Sequence, residues 1–105
     1  MLKINMEYRK GILFVRLKGN LNANTAPKFK EYTIPIIKDY GIKYMVYNLN
    51  DLLEIDNAGE DALIAGEKEI SENNGKVLLV NNRINTQAKF ENVSNELVAL
   101  ELMRI

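Results

Sequence analysis

Cysteine and histidine are both absent from this chain. Without cysteine there is no disulfide, no thiolate metal site and no thiol nucleophile. Without histidine the commonest acid–base group and metal ligand is missing. An excess of one charge is lacking too: 14 Lys and Arg balance 14 Asp and Glu, for a formal net charge of zero. A broad basic surface for nucleic acid is therefore not expected. No apolar run approaches the roughly 18 residues of a membrane span, and the opening Met1-Leu2-Lys3-Ile4-Asn5 has no signal-peptide pattern. The expectation is a cytoplasmic protein. The patterns GxxxxGK(S/T), GxGxxG and GxSxG are also missing, so nothing supports a P-loop, a dinucleotide fingerprint or a nucleophile elbow. No catalytic residue, cofactor or enzyme activity is expected.

What is present suits one domain. The 105 residues, 47% apolar and 27% charged, suffice for a single core and are too few for two. Ile4–Arg9 and Ile12–Lys18 flank Lys10-Gly11 and read as two strands of a hairpin. Leu13, Val15 and Leu17 share one face, with Ile12, Phe14, Arg16 and Lys18 on the other. That pattern predicts a sheet covered by helices on one side and partly open on the other. A loop from Gly19 leads to a helix beginning at Asn24 or Thr25, with Pro27 in its first turn, where a missing N–H costs nothing. Phe29, Tyr32, Ile36, Ile37 and Tyr40 form its apolar stripe. Pro35 predicts a kink or break near Glu31 to Ile34, and Gly41 closes the helix.

Tyr44–Ile70 is the organising stretch. An apolar run to Leu49 reads as a strand, Asn50–Asp56 as a short acidic crossing, and Asn57-Ala58-Gly59-Glu60 as a helix start with Asn57 as cap and Glu60 as its capping-box partner. Ala62, Leu63, Gly66 and Ile70 give that helix a narrow packing face, and Asn73-Asn74-Gly75 ends it. Lys76–Val80 reads as a buried parallel strand, 85–93 as a short helix, and 97–105 as a last strand. The predicted order is ββαβαβαβ, an α/β fold with a mainly parallel sheet of four or five strands and helices mostly on one face.

Asn48-Leu49-Asn50-Asp51-Leu52 followed by Ile55-Asp56-Asn57-Ala58-Gly59 resembles the NLxxLxxxDSSG signature of STAS domains, the bacterial anti-sigma-factor antagonists. Gly19-Asn20-Leu21-Asn22 resembles that family's GELD segment, with Asn22 where aspartate is frequent. The resemblance covers nearly all of residues 1–105 as one domain. It implies a non-catalytic regulator of transcription that signals by binding proteins, with a serine of the DSSG turn phosphorylated by a partner kinase. That serine position falls on Ala58, which has no hydroxyl, so the usual phosphoswitch is not expected there. The implied partner is a serine kinase/anti-sigma factor of the GHKL ATPase type, or another STAS subunit.

The candidate recognition surface is the turn Asp56, Asn57, Ala58, Gly59, Glu60 and Asp61, together with Asn22. Such a strand–helix junction offers free N–H groups and a positive helix end. Glu60 and Asp61 can stabilise the first helical turn, or place a permanent charge near that of the family's phosphate, roughly −1.5 to −2. Thr25, at a helix start, is the strongest of the other candidate phosphosites, which are Thr33, Ser71, Thr86 and Ser94. Asp51, Glu54, Asp56, Glu60 and Asp61 are crowded enough to consider a divalent cation, but acidic loops are usually only solvated, and no metal site is expected. Ile12 and Phe14, on the less covered face, are candidates for a protein contact. Two alternatives stand beside the docking regulator: a self-associating scaffold, including a homodimer, and a regulator that binds a nucleotide or other small ligand.

Overall fold

A computed structural model describes residues 1–103. Its elements run β1 (Leu2–Arg9), β2 (Ile12–Leu21), α1 (Ala26–Tyr40), β3 (Tyr44–Ile55), α2 (Asn57–Glu72), β4 (Lys76–Val80), β5 (Glu91–Val93) and α3 (Glu96–Leu102). The five strands lie in the order β1-β2-β3-β4-β5, antiparallel at β1–β2 and parallel elsewhere. Lys10 and Gly11 both take positive φ, 51° and 82°. This is the backbone that a two-residue hairpin turn needs to match strand twist.

Alternation along the strands divides the core in two. Leu13, Val15, Leu17, Met45, Tyr47, Leu49, Val77 and Leu79 face α1 and α2. Ile12, Phe14, Val46, Leu78 and Val80 face the opposite way and are covered by Ala99 and Met103, in and just after α3. Both main helices thus lie on one face, as their apolar stripes predict. Ile12 and Phe14 are buried beneath the third helix, which removes them as a candidate surface for a partner.

Five local expectations are corrected. Pro35 sits inside an unbroken α1: it and Glu31 face solvent, so water can satisfy the carbonyl that loses its N–H partner. Tyr32 and Tyr40 also point outward, and Phe29, Thr33 and Ile37 form the buried stripe. The acidic crossing at 50–56 is mostly strand, because Lys18–Leu21 continue to pair with Asp51–Ile55; pairing by a neighbour overrides weak local propensity. Finally, the short helix expected at 85–93 is a loop and then β5, and the strand expected at 97–105 is helical from Glu96 to Leu102, its last two residues lying outside the described part. The observed order is ββαβαββα.

Glu96 anchors α3 to the sheet. Its carboxylate accepts from Arg16 Nε at 2.8 Å and Nη2 at 2.7 Å, and from Asn48 Nδ2 at 2.9 Å. The Arg16 guanidinium holds the Glu96 carboxyl below its usual value, partial burial opposes this, and the Asn48 amide adds to it. A depressed folded value stabilises the native state fully above the unfolded value of about 4.5 and loses that contribution as pH falls through the folded one. The stability advantage of wild type over Glu96→Gln, read from urea midpoints, should therefore be greatest near neutral pH and shrink below about pH 4.5. An advantage that is constant down to pH 3 would show that the ion pair contributes nothing.

Candidate functional site

The C-terminal ends of β2 and β3 stop side by side, Leu21 opposite Ile55, and the chain leaves both toward the same edge of the sheet. Two segments converge there, the loop 22–25 before α1 and the junction 56–61 that starts α2.

Asp56 joins them. It is the cap of α2, its Oδ1 accepting from Gly59 N–H at 2.9 Å, while Oδ2 accepts from Ala23 N–H at 3.0 Å. Its own N–H donates to Leu21 C=O at 3.2 Å. Asn57, expected to be the cap, is instead the first helical residue and is exposed. The aspartate wins because its two oxygens can serve both the helix and the neighbouring loop.

Asn22 closes the other side of the junction. Its Oδ1 accepts from Asn24 N–H at 2.9 Å and Thr25 N–H at 3.2 Å. Thr25 Oγ1 accepts from Asn22 N–H at 2.9 Å and donates to Asn20 C=O at 2.8 Å. The Thr25 hydroxyl is thus part of the turn itself. Thr33 is fully buried. The Asn22 loop lies beside the 56–61 junction, joined to it through the Ala23 N–H bond to Asp56.

Gly59 is required here by contact with backbone. A Cβ on it would lie 2.2 Å from the Leu21 carbonyl oxygen. Only a residue without a side chain lets α2 start so close to the end of β2. Ala58 is half-buried against the main core, and between Asp56 and Asp61 the chain carries no hydroxyl.

Glu60 departs most from expectation. It does not return to the cap of its own helix, nor does it present charge to solvent: it is 9% exposed. Its carboxylate accepts from Gln87 N–H at 2.7 and 2.9 Å and from Ala88 N–H at 2.6 Å. A loop from the far end of β4 is thereby fastened to the first turn of α2. No local pattern in the sequence signals this, because the partners are backbone groups 27 and 28 positions away. The outward charge of the turn is left to Asp56 and Asp61, both exposed. Among the described residues no group of three or more acidic side chains is placed to hold a metal ion. Nor is any described helix long and apolar enough to cross a membrane.

Comparison with known proteins matches this architecture. The sequence pattern of the STAS domain fits residues 3–99. An anti-sigma F factor antagonist of Paenibacillus polymyxa is 28% identical over 76 residues, which are 72% of this chain and 65% of that protein. The match therefore spans less than two thirds of that relative's length. A putative anti-sigma factor antagonist from Thermotoga maritima superposes with a TM-score of 0.82 at 17% identity, covering 94% of this chain and 92% of that one. The Bacillus cell fate determinant SpoIIAA in its phosphorylated form gives 0.73 at 13% identity, covering 95% and 99%. At these identities the two structures establish the shared fold.

Proposed function

This chain belongs to the STAS domain family, and from that membership we propose that it is a non-catalytic regulator of the anti-sigma-factor-antagonist kind. It works in the cytoplasm by docking a protein partner on the 56–61 junction and the adjoining Asn22 loop. The observation that carries this reading is the junction's construction. Asp56 ties two loops into one surface, from which Asn57 and Asp61 project into solvent. A surface held rigid before contact loses little entropy on binding.

The partner is a serine kinase/anti-sigma factor of the GHKL type or another STAS subunit. One relative of the same fold is known in a phosphorylated form, but alanine at position 58 gives this chain no acceptor in the turn. We read its docking surface as permanently unphosphorylated at that atom, with one exposed carboxylate beyond the cap, Asp61, rather than a phosphate-like pair. Control of binding then lies in the abundance or state of the partner.

The test is a pull-down from the native cell with wild type and with Asn57→Arg/Asp61→Arg as bait, read by mass spectrometry. Both residues are exposed and Asp61 loses only a helix-end interaction of about 0.3–1 kcal/mol, so circular dichroism should report an intact fold. We expect a specific partner to be enriched by wild type and reduced at least tenfold with the double variant. Equal recovery with both baits would place docking elsewhere on the molecule.

A further inference from the structure

The first strand has one side that nothing in the described fold covers. The sheet order leaves β1 and β5 as edges. β5 is three residues long and offers little to pair with. By contrast β1 is eight residues long, has no proline, and pairs with β2 without a register break. Natural edges are usually blunted by shortness, bulges, proline or charged side chains; β1 has none of the first three, and its charges, Lys3, Glu7 and Arg9, are of both signs and so can be matched by those of a second copy.

We propose that β1 is a self-association edge: two copies join β1 to β1, antiparallel, about a two-fold axis at Asn5. Backbone parity and charge select this register. Asn20 N–H donates to Met1 C=O at 2.9 Å, and Arg9 faces Ile12 across a two-residue turn. The odd residues of β1 therefore exchange hydrogen bonds with β2, and the even residues Leu2, Ile4, Met6 and Tyr8 direct their N–H and C=O groups to the open edge. A second β1 must set even residues opposite even residues.

Three central registers satisfy that condition, and charge separates them. With the axis at Met6, Lys3 meets Arg9 of the partner subunit, a like-charge pair. With the axis at Ile4, Lys3 meets Asn5 of the partner subunit and no charges are matched. With the axis at Asn5, Lys3 meets Glu7 of the partner subunit, twice by symmetry. These are the non-hydrogen-bonded sites, where opposed side chains approach most closely. Glu7 is already aimed by Arg16, 2.9 Å from its carboxylate, whereas Lys3 is exposed and makes no ion pair among the described residues.

The same register suits the other face. An apolar groove of about 620 Å³ runs between β1 and α1, lined by Leu2, Ile4, Met6, Tyr32 and Ile36 among others. Pairing at Asn5 sets Ile4 against Met6 and Leu2 against Tyr8 across the axis, on the groove side of the sheet. Tyr8 and Tyr32, 62% and 54% exposed, lie where the second copy would shield them. A two-fold contact of this kind closes on itself and uses up both β1 edges, leaving only the three-residue β5 at each end of the joined sheet.

Sedimentation equilibrium on the full chain tests the proposal independently of docking, since neither Lys3 nor Glu7 belongs to the 56–61 junction. Wild type should dimerise reversibly. Lys3→Glu, at an exposed position, opposes two carboxylate pairs and should raise the dissociation constant about tenfold. Glu7→Lys should do the same by opposing two ammonium groups. Mixed in equal amounts, the two variants form complementary pairs at both sites and should recover the wild-type dimer. A wild-type chain that stays monomeric up to its solubility limit overturns the proposal. So does a dimer indifferent to Lys3→Glu, which would use a different surface or a different register.

Discussion

Glu60→Ala should destabilise the protein by about 2 kcal/mol, since hydrogen bonds to a charged group are worth roughly 1.5–3 kcal/mol and exposed donors recover part of the loss from water. The carboxylate serves two backbone donors of a loop that has no regular structure of its own between β4 and β5. Removing it frees that loop, so the effect should also be local. Hydrogen exchange at Gln87 and Ala88 should accelerate more than at Val77–Val80. Glu60→Gln should fall between wild type and alanine. Its single carbonyl oxygen can take the place of Oε1, which accepts from both donors, but its NH₂ then confronts the Gln87 N–H. The ranking wild type, glutamine, alanine is the result to look for in urea midpoints and exchange rates together. Alanine as stable as wild type would mean the loop is held by other contacts.

The second large effect lies at the crossing of α2 over β3. Tyr47 is fully buried and its hydroxyl donates to Leu63 C=O at 3.0 Å. Burial pushes the phenol well above its usual pKa, with the nearby Glu67 charge adding to the shift; the group stays neutral. A Cβ on Gly66 would lie 2.0 Å from that hydroxyl. Overpacking of this kind costs about 3 kcal/mol at its upper range, while alanine gains about 1 kcal/mol over glycine in a helix interior. The steric term wins, and Gly66→Ala should lose about 2 kcal/mol, near 10 °C in melting temperature for a chain of this size.

Tyr47→Phe supplies the control. Without the hydroxyl, the nearest ring carbon is 3.4 Å from the added methyl group, a tolerable contact, and the helix gain remains. The double variant should therefore recover most of what Gly66→Ala loses, giving a coupling of 1 kcal/mol or more in a double-mutant cycle. Additive losses would show that Gly66→Ala disturbs the backbone rather than the hydroxyl.

Period and punctuation made much of this molecule legible in its residues. The alternation of Leu13, Val15 and Leu17, the turn at Lys10-Gly11, the face Ala62–Leu63–Gly66–Ile70 and the apolar run 76–80 all report local geometry, and each forms as expected. The junction at 56–61 was singled out by its resemblance to the STAS signature rather than by period. What the sequence did not disclose depends on neighbours. Leu53 and Glu54 form strand because β2 continues beside them. Residues 91–93 pair because β4 is exposed to them, and Glu96–Leu102 turns helical over a sheet face that needs cover.

The asparagines show the same division. Asn22, Asn73, Asn81, Asn92 and Asn95 each hydrogen-bond backbone at a turn, cap or loop. Composition announces the residue, and only the fold decides which carbonyl or amide it meets. Glu60 is the sharpest case. A carboxylate in the first turn of a helix reads locally as a partner for that helix or as surface charge. Its burial against Gln87 and Ala88 follows from a loop arriving from another strand, a contact distant in sequence that no local period encodes. Short-range pattern thus determined the first hairpin, the two main helices and β4, while neighbouring strands decided the ends of β3, β5 and α3. Which of the junction's charges face outward was decided by packing, because burial is a property of everything that surrounds a residue.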